Sequence, residues 1–356
     1  MRLTCVFVML FVSLSAAWGQ QAWGNHPNPH ANAALFRTPK TDRPKCVGHF
    51  RPQLVTSFVW NSTVLQWPES LAIDPDGNMY VSITDYFTNG ADDTGYVLKV
   101  ASNGKQTVIA SVPDLSGWGF LAGVALDEKG QLYVNVVNDT PGVYRVGADG
   151  SLTLELAMPD CSTPNGTAFH NGDMYVSDST YNCTCGAIWK KGRHDKTAPA
   201  MPWYYDCDLI APGPEYGLGA DGVAFYRGDL YIGVYDTTDN DWGRIVKLPL
   251  QRDGSPGKPV VVVDDPGLVL VDGIAFDITG KLWVVMNYNA MGTVSLNGKF
   301  VLLEDTPGWL DDPTMLAFGN TPKTHTTLFL TNGGGTILNG DILSLQVGVP
   351  GAPLLP

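Results

Sequence analysis

Two stretches decide the reading of this chain: ADGVAF at residues 220–225 and VDGIAF at residues 271–276. In each, a carboxylate and a glycine precede a short apolar run. A turn follows, at Arg227-Gly228 or Thr279-Gly280, and then an aromatic-bearing strand pattern, Leu230-Tyr231-Ile232 or Leu282-Trp283-Val284. The same phrase occurs earlier as PNGTAF at 164–169, leading to Asn171-Gly172 and Met174-Tyr175-Val176, and as PESLAI at 68–73, leading to Asp76-Gly77 and Met79-Tyr80-Val81. AGVAL at 122–126 runs into Lys129-Gly130 and Leu132-Tyr133-Val134. A weaker copy, PTMLAF at 313–318, leads to Leu328-Phe329-Leu330. The recurring first position falls at 69, 122, 165, 221, 272 and 314, a period of about 50 residues that suits a propeller blade of four strands.

Outer strands are legible beside the copies: 95–100 with 106–110, 142–146 with 152–156, and 244–248 with 259–263. Six copies therefore predict an all-β protein, a six-bladed β-propeller with four-stranded antiparallel blades. The sixth copy has three clear strands, the last at 341–345. Residues 53–58 are expected to supply its missing outer strand and close the circle, which removes open sheet edges.

The flanks read differently. Residues 1–19 have Arg2 before an apolar run from Cys5 to Leu14 and a small-x-small site at Ala17-Trp18-Gly19, the pattern of a secretory signal. Residues 20–45 read as an extended arm, 46–347 as the propeller, and 348–356 as a Pro- and Gly-rich tail. The expectation is a secreted, extracellular protein without membrane insertion.

A net charge of −13 argues against nucleic acid as a partner. Oligomeric state is not encoded in any readable way. Past the signal, five cysteines remain: Cys46, Cys161, Cys183, Cys185 and Cys207. Export favours disulfides, so one or two bridges are expected among the last four, in an undetermined pairing. No histidine is placed to build a zinc site with them. Asn61, Asn138 and Asn182 begin sequons suited to glycans on loops, whereas the sequon at Asn165 lies in the repeat.

Inner strands of a propeller run along its central channel, so equivalent positions converge on the axis. The recurring position reads Glu69, Ala122, Asn165, Asp221, Asp272, Thr314. Taken singly, Asp-Gly and Asn-Gly are ordinary turn dipeptides. A turn does not explain their recurrence directly before apolar strands. Three carboxylates and an amide brought together are costly without a cation, and an all-oxygen donor set suits Ca²⁺, with Mg²⁺ second. The expected metal ligands are Glu69, Asn165, Asp221 and Asp272.

With these residues, and with Pro-Asn-Gly at 164–166 and Leu-Val-Asp-Gly at 270–273, the chain resembles the regucalcin/gluconolactonase (SMP-30-like) propellers. It is more distantly similar to diisopropylfluorophosphatase and paraoxonase. The resemblance implies a ring of Glu, a non-ligand, Asn, Asn, Asp and a small hydroxyl residue, and Asp221 departs from it where Asn is usual. It also implies hydrolysis of a lactone or related ester, a small-molecule substrate, with Asp272 in the place of the family's catalytic aspartate and Asp221 as the second candidate. The metal would polarise the carbonyl.

Trp67, Trp118, Phe120, Tyr181 and Thr314 are candidates to line the pocket. The histidines fall outside the ring, and His170, in the third copy's turn, is expected to be exposed. Gly-x-Ser-x-Gly is absent. Against the hydrolase stand a non-catalytic ligand- or protein-binding propeller with structural Ca²⁺, since this fold hosts many functions, and a metal-independent lyase on a related propeller.

Overall fold

The computed structural model describes residues 50–59, 64–87, 93–112, 115, 119–213, 217–237, 242–304, 308–334 and 339–353. The signal, the arm, Cys46, Asn61 and Trp118 lie outside the described residues.

Six four-stranded antiparallel sheets succeed one another along the chain. Their inner strands are Val64–Ile73, Phe120–Leu126, Pro164–His170, Ala220–Tyr226, Val271–Phe276 and Pro313–Phe318. Each touches the inner strand of the next blade, and the last touches the first, so the sheets form a closed circle. Closure is as expected: Gln53–Ser57 pairs antiparallel with Asp341–Gln346 and completes the sixth blade. Among the described residues the helical content is one 3₁₀ turn, Tyr181–Cys183, and no helix is long and apolar enough to cross a membrane.

The inner hairpins turn by two chemistries. Asn171-Gly172 and Arg227-Gly228 each put two consecutive residues in the left-handed region, with φ of 52° and 76°, and 53° and 87°. That is the type I′ geometry whose twist matches flanking strands. In the first, second and fifth blades an aspartate closes the turn. Asp74 accepts the backbone N–H of Asp76 and Asn78 at 3.0 and 2.8 Å, and Asp127 and Asp277 repeat the pattern.

The core lies between blades. Tyr226, Tyr231 and Ile245 of the fourth blade pack with Val271, Ile274 and Phe276 of the fifth. Tyr175 and Ile188 of the third pack with Val223, Leu230 and Ile232 of the fourth. Fully burying each such side chain is worth about 1.5–3 kcal/mol. His170 belongs to this layer. Contrary to the expectation of exposure, it is buried and stacks on Phe225 with ring centroids 4.5 Å apart, because the third hairpin leans on the fourth blade. The chain after the last strand folds back onto the fifth blade, where Ala352 donates to the Phe276 carbonyl at 2.8 Å.

Two disulfides form, Cys161–Cys183 and Cys185–Cys207. Both lie in the third blade, where the sequence leads to one or two bridges of undetermined pairing, and a single residue, Thr184, separates them.

Candidate functional site

Every blade bulges between its first and second strands, and that bulge falls at the recurring position. The register between first and second strands slips at Pro68/Ser70, Leu121/Val124, Pro164/Thr167, Ala220/Val223, Val271/Ile274 and Pro313/Met315. A bulge leaves a residue out of the ladder and re-aims its side chain. Glu69, Ala122, Asn165, Asp221, Asp272 and Thr314 are those residues, and all six are buried.

The glycines after them serve close approach. A Cβ on Gly123 would collide with the Asn165 carbonyl oxygen, one on Gly166 with that of Asp221 at 2.8 Å, one on Gly222 with that of Asp272, and one on Gly273 with that of Thr314 at 2.9 Å. None of these four glycines has positive φ. The Asp-Gly pairs are therefore not turns. Each glycine makes room for the backbone of the next blade.

A second collar, which the sequence reading missed, locks this ring. Ser82 Oγ accepts the bulge N–H of Ser70 at 3.0 Å and donates to the Ala122 carbonyl of the next blade at 2.6 Å. Ser177 does the same, accepting from Gly166 N–H at 2.8 Å and donating to the Asp221 carbonyl. Asn135 donates to the Asn165 carbonyl. Thr331 accepts from Met315 N–H at 3.0 Å, and Thr314 Oγ1 donates to the Pro68 carbonyl at 3.0 Å, tying the sixth blade to the first. The signal was present as a small polar residue two places after the aromatic of four of the six second strands: Tyr80–Ser82, Tyr133–Asn135, Tyr175–Ser177 and Phe329–Thr331.

With ring carbonyls held by the collar, the side chains are left for chemistry. Asn165 Nδ2 donates to Asp221 Oδ2 at 2.9 Å. The carboxyl groups of Asp221 and Asp272 are hydrogen-bonded to each other. Burial pushes both well above the usual carboxylate range, and the Glu69 charge adds to it. Their mutual bond lowers the proton affinity of Asp221 and raises that of Asp272. Glu69 stands apart. Its Oε2 accepts the Trp67 indole N–H at 2.7 Å, and burial pushes it up to about 7 in spite of that bond.

The structure thus joins Asn165, Asp221 and Asp272 in one bonded chain and leaves Glu69 acting on them at longer range. Among the described residues no three His, Cys, Asp or Glu side chains are gathered tightly enough to hold one ion. The donor chemistry still fits a hard cation: every donor is oxygen, and Asp221 Oδ1 is buried without a hydrogen-bond partner.

The pocket candidates separate. Trp67 is buried, its indole against Gly333, and orients Glu69. Phe120 packs with Ala122, Val137 and Tyr86, so the ring's vacant place is an apolar wall. Tyr181 is half-buried on the blade-three rim against Trp189 and Tyr205. Thr314 is fully engaged, sharing a 2.7 Å bond with Thr331.

Three residues near the ring had no repeat signal. The phenols of Tyr86 and Tyr235 are raised well above their usual value by burial and by surrounding carboxylates, Glu69 among them in both cases. Asp312 is raised well above its usual range by burial, then by Asp311 and Glu69. Asp312 and Leu270, each two residues before a ring position, have φ of 59° and 56°. Strain of this kind collects at functional sites.

No protein-family model matches the chain. Among solved structures it is similar to a luciferin-regenerating enzyme, at 16% identity and a TM-score of 0.56, covering 83% of this chain and 96% of that one. A protein from Thermus thermophilus, described as a putative oxidoreductase (glucose dehydrogenase), gives 17% and 0.54, covering 83% and 100%. A protein of unknown function from Bacteroides thetaiotaomicron gives 11% and 0.55, covering 84% and 76%. At these identities what the chains share is the fold.

Proposed function

We infer that this protein is a secreted, Ca²⁺-dependent hydrolase of a lactone or related ester. The observation that carries the reading is the buried Asn165–Asp221–Asp272 chain at the bulges, with Asp221 Oδ1 unpartnered and the Glu69 charge acting on it. Two disulfides suit an oxidising compartment and support export.

Glu69, Asn165, Asp221 and Asp272 would hold the ion, with Glu69 turning from Trp67 to join the other three. A bound cation supplies Lewis acidity at the scissile carbonyl. The chain's own residues do the rest. Asp272, which would be ionised once a cation is held, accepts a proton from a water as the water oxygen attacks the carbonyl carbon. The acyl C–O bond breaks, and the departing alkoxide takes that proton back. Asn165 orients Asp221 through their 2.9 Å bond, and Asp221 balances the second charge.

A lactone and aryl-ester panel tests this, with and without EDTA, on wild type and Asp272→Ala. Chelator-sensitive turnover lost in Asp272→Ala supports the reading. Calcium binding without turnover of any member would replace it with a ligand-binding propeller carrying structural Ca²⁺. The Asp221–Asp272 hydrogen bond favours that second reading, because it occupies both candidate bases.

A further inference from the structure

Asp272 is gripped by a residue outside the repeat. The second strand of the fifth blade ends at Met286. Asn287, the next residue, donates its backbone N–H to the Leu270 carbonyl at 3.0 Å. Its side-chain Nδ2 donates to the Pro313 carbonyl of the sixth blade at 3.1 Å, and the same side chain hydrogen-bonds the carboxyl group of Asp272. At the far end of this short loop, Asn289 Oδ1 accepts the backbone N–H of Asp312 at 2.8 Å. The loop between the second and third strands is thus fastened to the sixth blade at both ends.

The third blade shows what the tie alone requires. Ser179 also follows its second strand directly. Its backbone N–H goes to the Thr163 carbonyl, two residues before Asn165, as that of Asn287 goes to the carbonyl two residues before Asp272. Ser179 Oγ donates to the carbonyl of Ala220, directly before Asp221, at 2.7 Å. Pro313 stands in the same place before Thr314. A serine therefore makes the tie between blades with its single hydrogen. An asparagine carries two on Nδ2, and at position 287 one is left for Asp272.

That spare donor counts most when Asp272 works as a base. The bond between Asp221 and Asp272 needs a proton shared by two carboxyl groups and is lost when both are ionised. The bond from Asn287 needs none and strengthens on ionisation.

We propose that Asn287 is a positioning residue of the reaction, one that ties the fifth blade to the sixth and, with its second hydrogen, holds the Asp272 carboxylate in the orientation from which it takes a proton from water. This rests on the hydrolase reading and deepens it.

The test uses the full chain in saturating calcium chloride, with 4-nitrophenyl acetate and δ-valerolactone as probes and rates taken per folded molecule. Asn287→Ser keeps a donor for the Pro313 carbonyl, as Ser179 does for Ala220, and gives up the one for Asp272. Asn287→Ala gives up both. Each variant is expected to lose about tenfold or more in kcat with KM changed by less than about threefold, as for partners that orient a working carboxylate. The melting temperature in EGTA, read without any reaction, should fall in Asn287→Ala and hold in Asn287→Ser. Wild-type kcat in Asn287→Ser, or a loss confined to KM, overturns this inference and leaves the hydrolase standing, because Asn287 then only ties blades. Hydrolysis of no ester or lactone by the wild type, with calcium bound, overturns both.

Discussion

Calcium depletion should uncover a pH dependence of stability created by the ring. Burial lifts Glu69 from its ordinary 4.5 to about 7, while in the unfolded chain it ionises near the ordinary value. A carboxyl raised in this way holds its proton more tightly folded than unfolded. Its contribution is therefore fully present below about 4.5, declines as pH rises, and is gone above about 7. The rise at Glu69 alone corresponds to about 3 kcal/mol, and Asp221 and Asp272, raised further, act in the same direction. The assay is urea unfolding at pH 5, 6, 7 and 8 in EGTA, repeated in millimolar calcium chloride. The expected result is a loss of about 3 kcal/mol or more from pH 5 to pH 8 in EGTA, recovered by calcium because the ion binds the ionised carboxylates. Glu69→Gln should flatten the part of the curve below pH 7. Wild-type stability in EGTA that stays level or rises from pH 5 to pH 8 would refute the reasoning.

Gly222→Ala drives a methyl into the Asp272 carbonyl oxygen and should cost about 2–3 kcal/mol by calorimetric unfolding. Ser177→Ala strips the bulge N–H of Gly166 and the Asp221 carbonyl of their partner, an expected loss of about 1–3 kcal/mol in urea. Asp221→Asn should weaken calcium binding in titration calorimetry yet raise the melting temperature in EGTA at pH 8, because one buried charge is removed. Replacing Cys161 and Cys183 by serine opens a loop of 22 residues and should lower stability by about 3 kcal/mol without changing calcium affinity.

The blades were legible because the phrase around Asp221 and Asp272 repeats, and repetition turns a weak local pattern into a register. The closing strand was legible too, since a blade with three strands demands a fourth. What the sequence hid was the reason for the glycines. Read locally, Asp-Gly means a turn; only the neighbouring blade shows that Gly222 exists to admit the Asp272 carbonyl. His170 misled for a similar reason: a turn residue looks solvent-facing until Phe225 arrives from the next blade. Tyr86, Tyr235 and Asp312 were out of reach because they lie outside the phrase that repeats. The disulfide pairing could not be read from four cysteines in one blade, since spacing alone does not choose among their partners.

The collar gives the ring a division of labour. Shape is held by backbone atoms: Ser82, Asn135 and Ser177 grip carbonyls, and the glycines admit them. Of the side chains at the bulges, only that of Thr314, which grips the Pro68 carbonyl, shares in that duty. Mutation can therefore exchange one of the others, as at Ala122, without unfastening the circle. Such a fold can keep its frame through a long sequence history while its centre is rewritten one position at a time, passing through acidic, amide, hydroxyl or bare states. Asp221, a carboxylate hydrogen-bonded to an amide on one side and an acid on the other, is a place where that rewriting changes charge and leaves the frame alone.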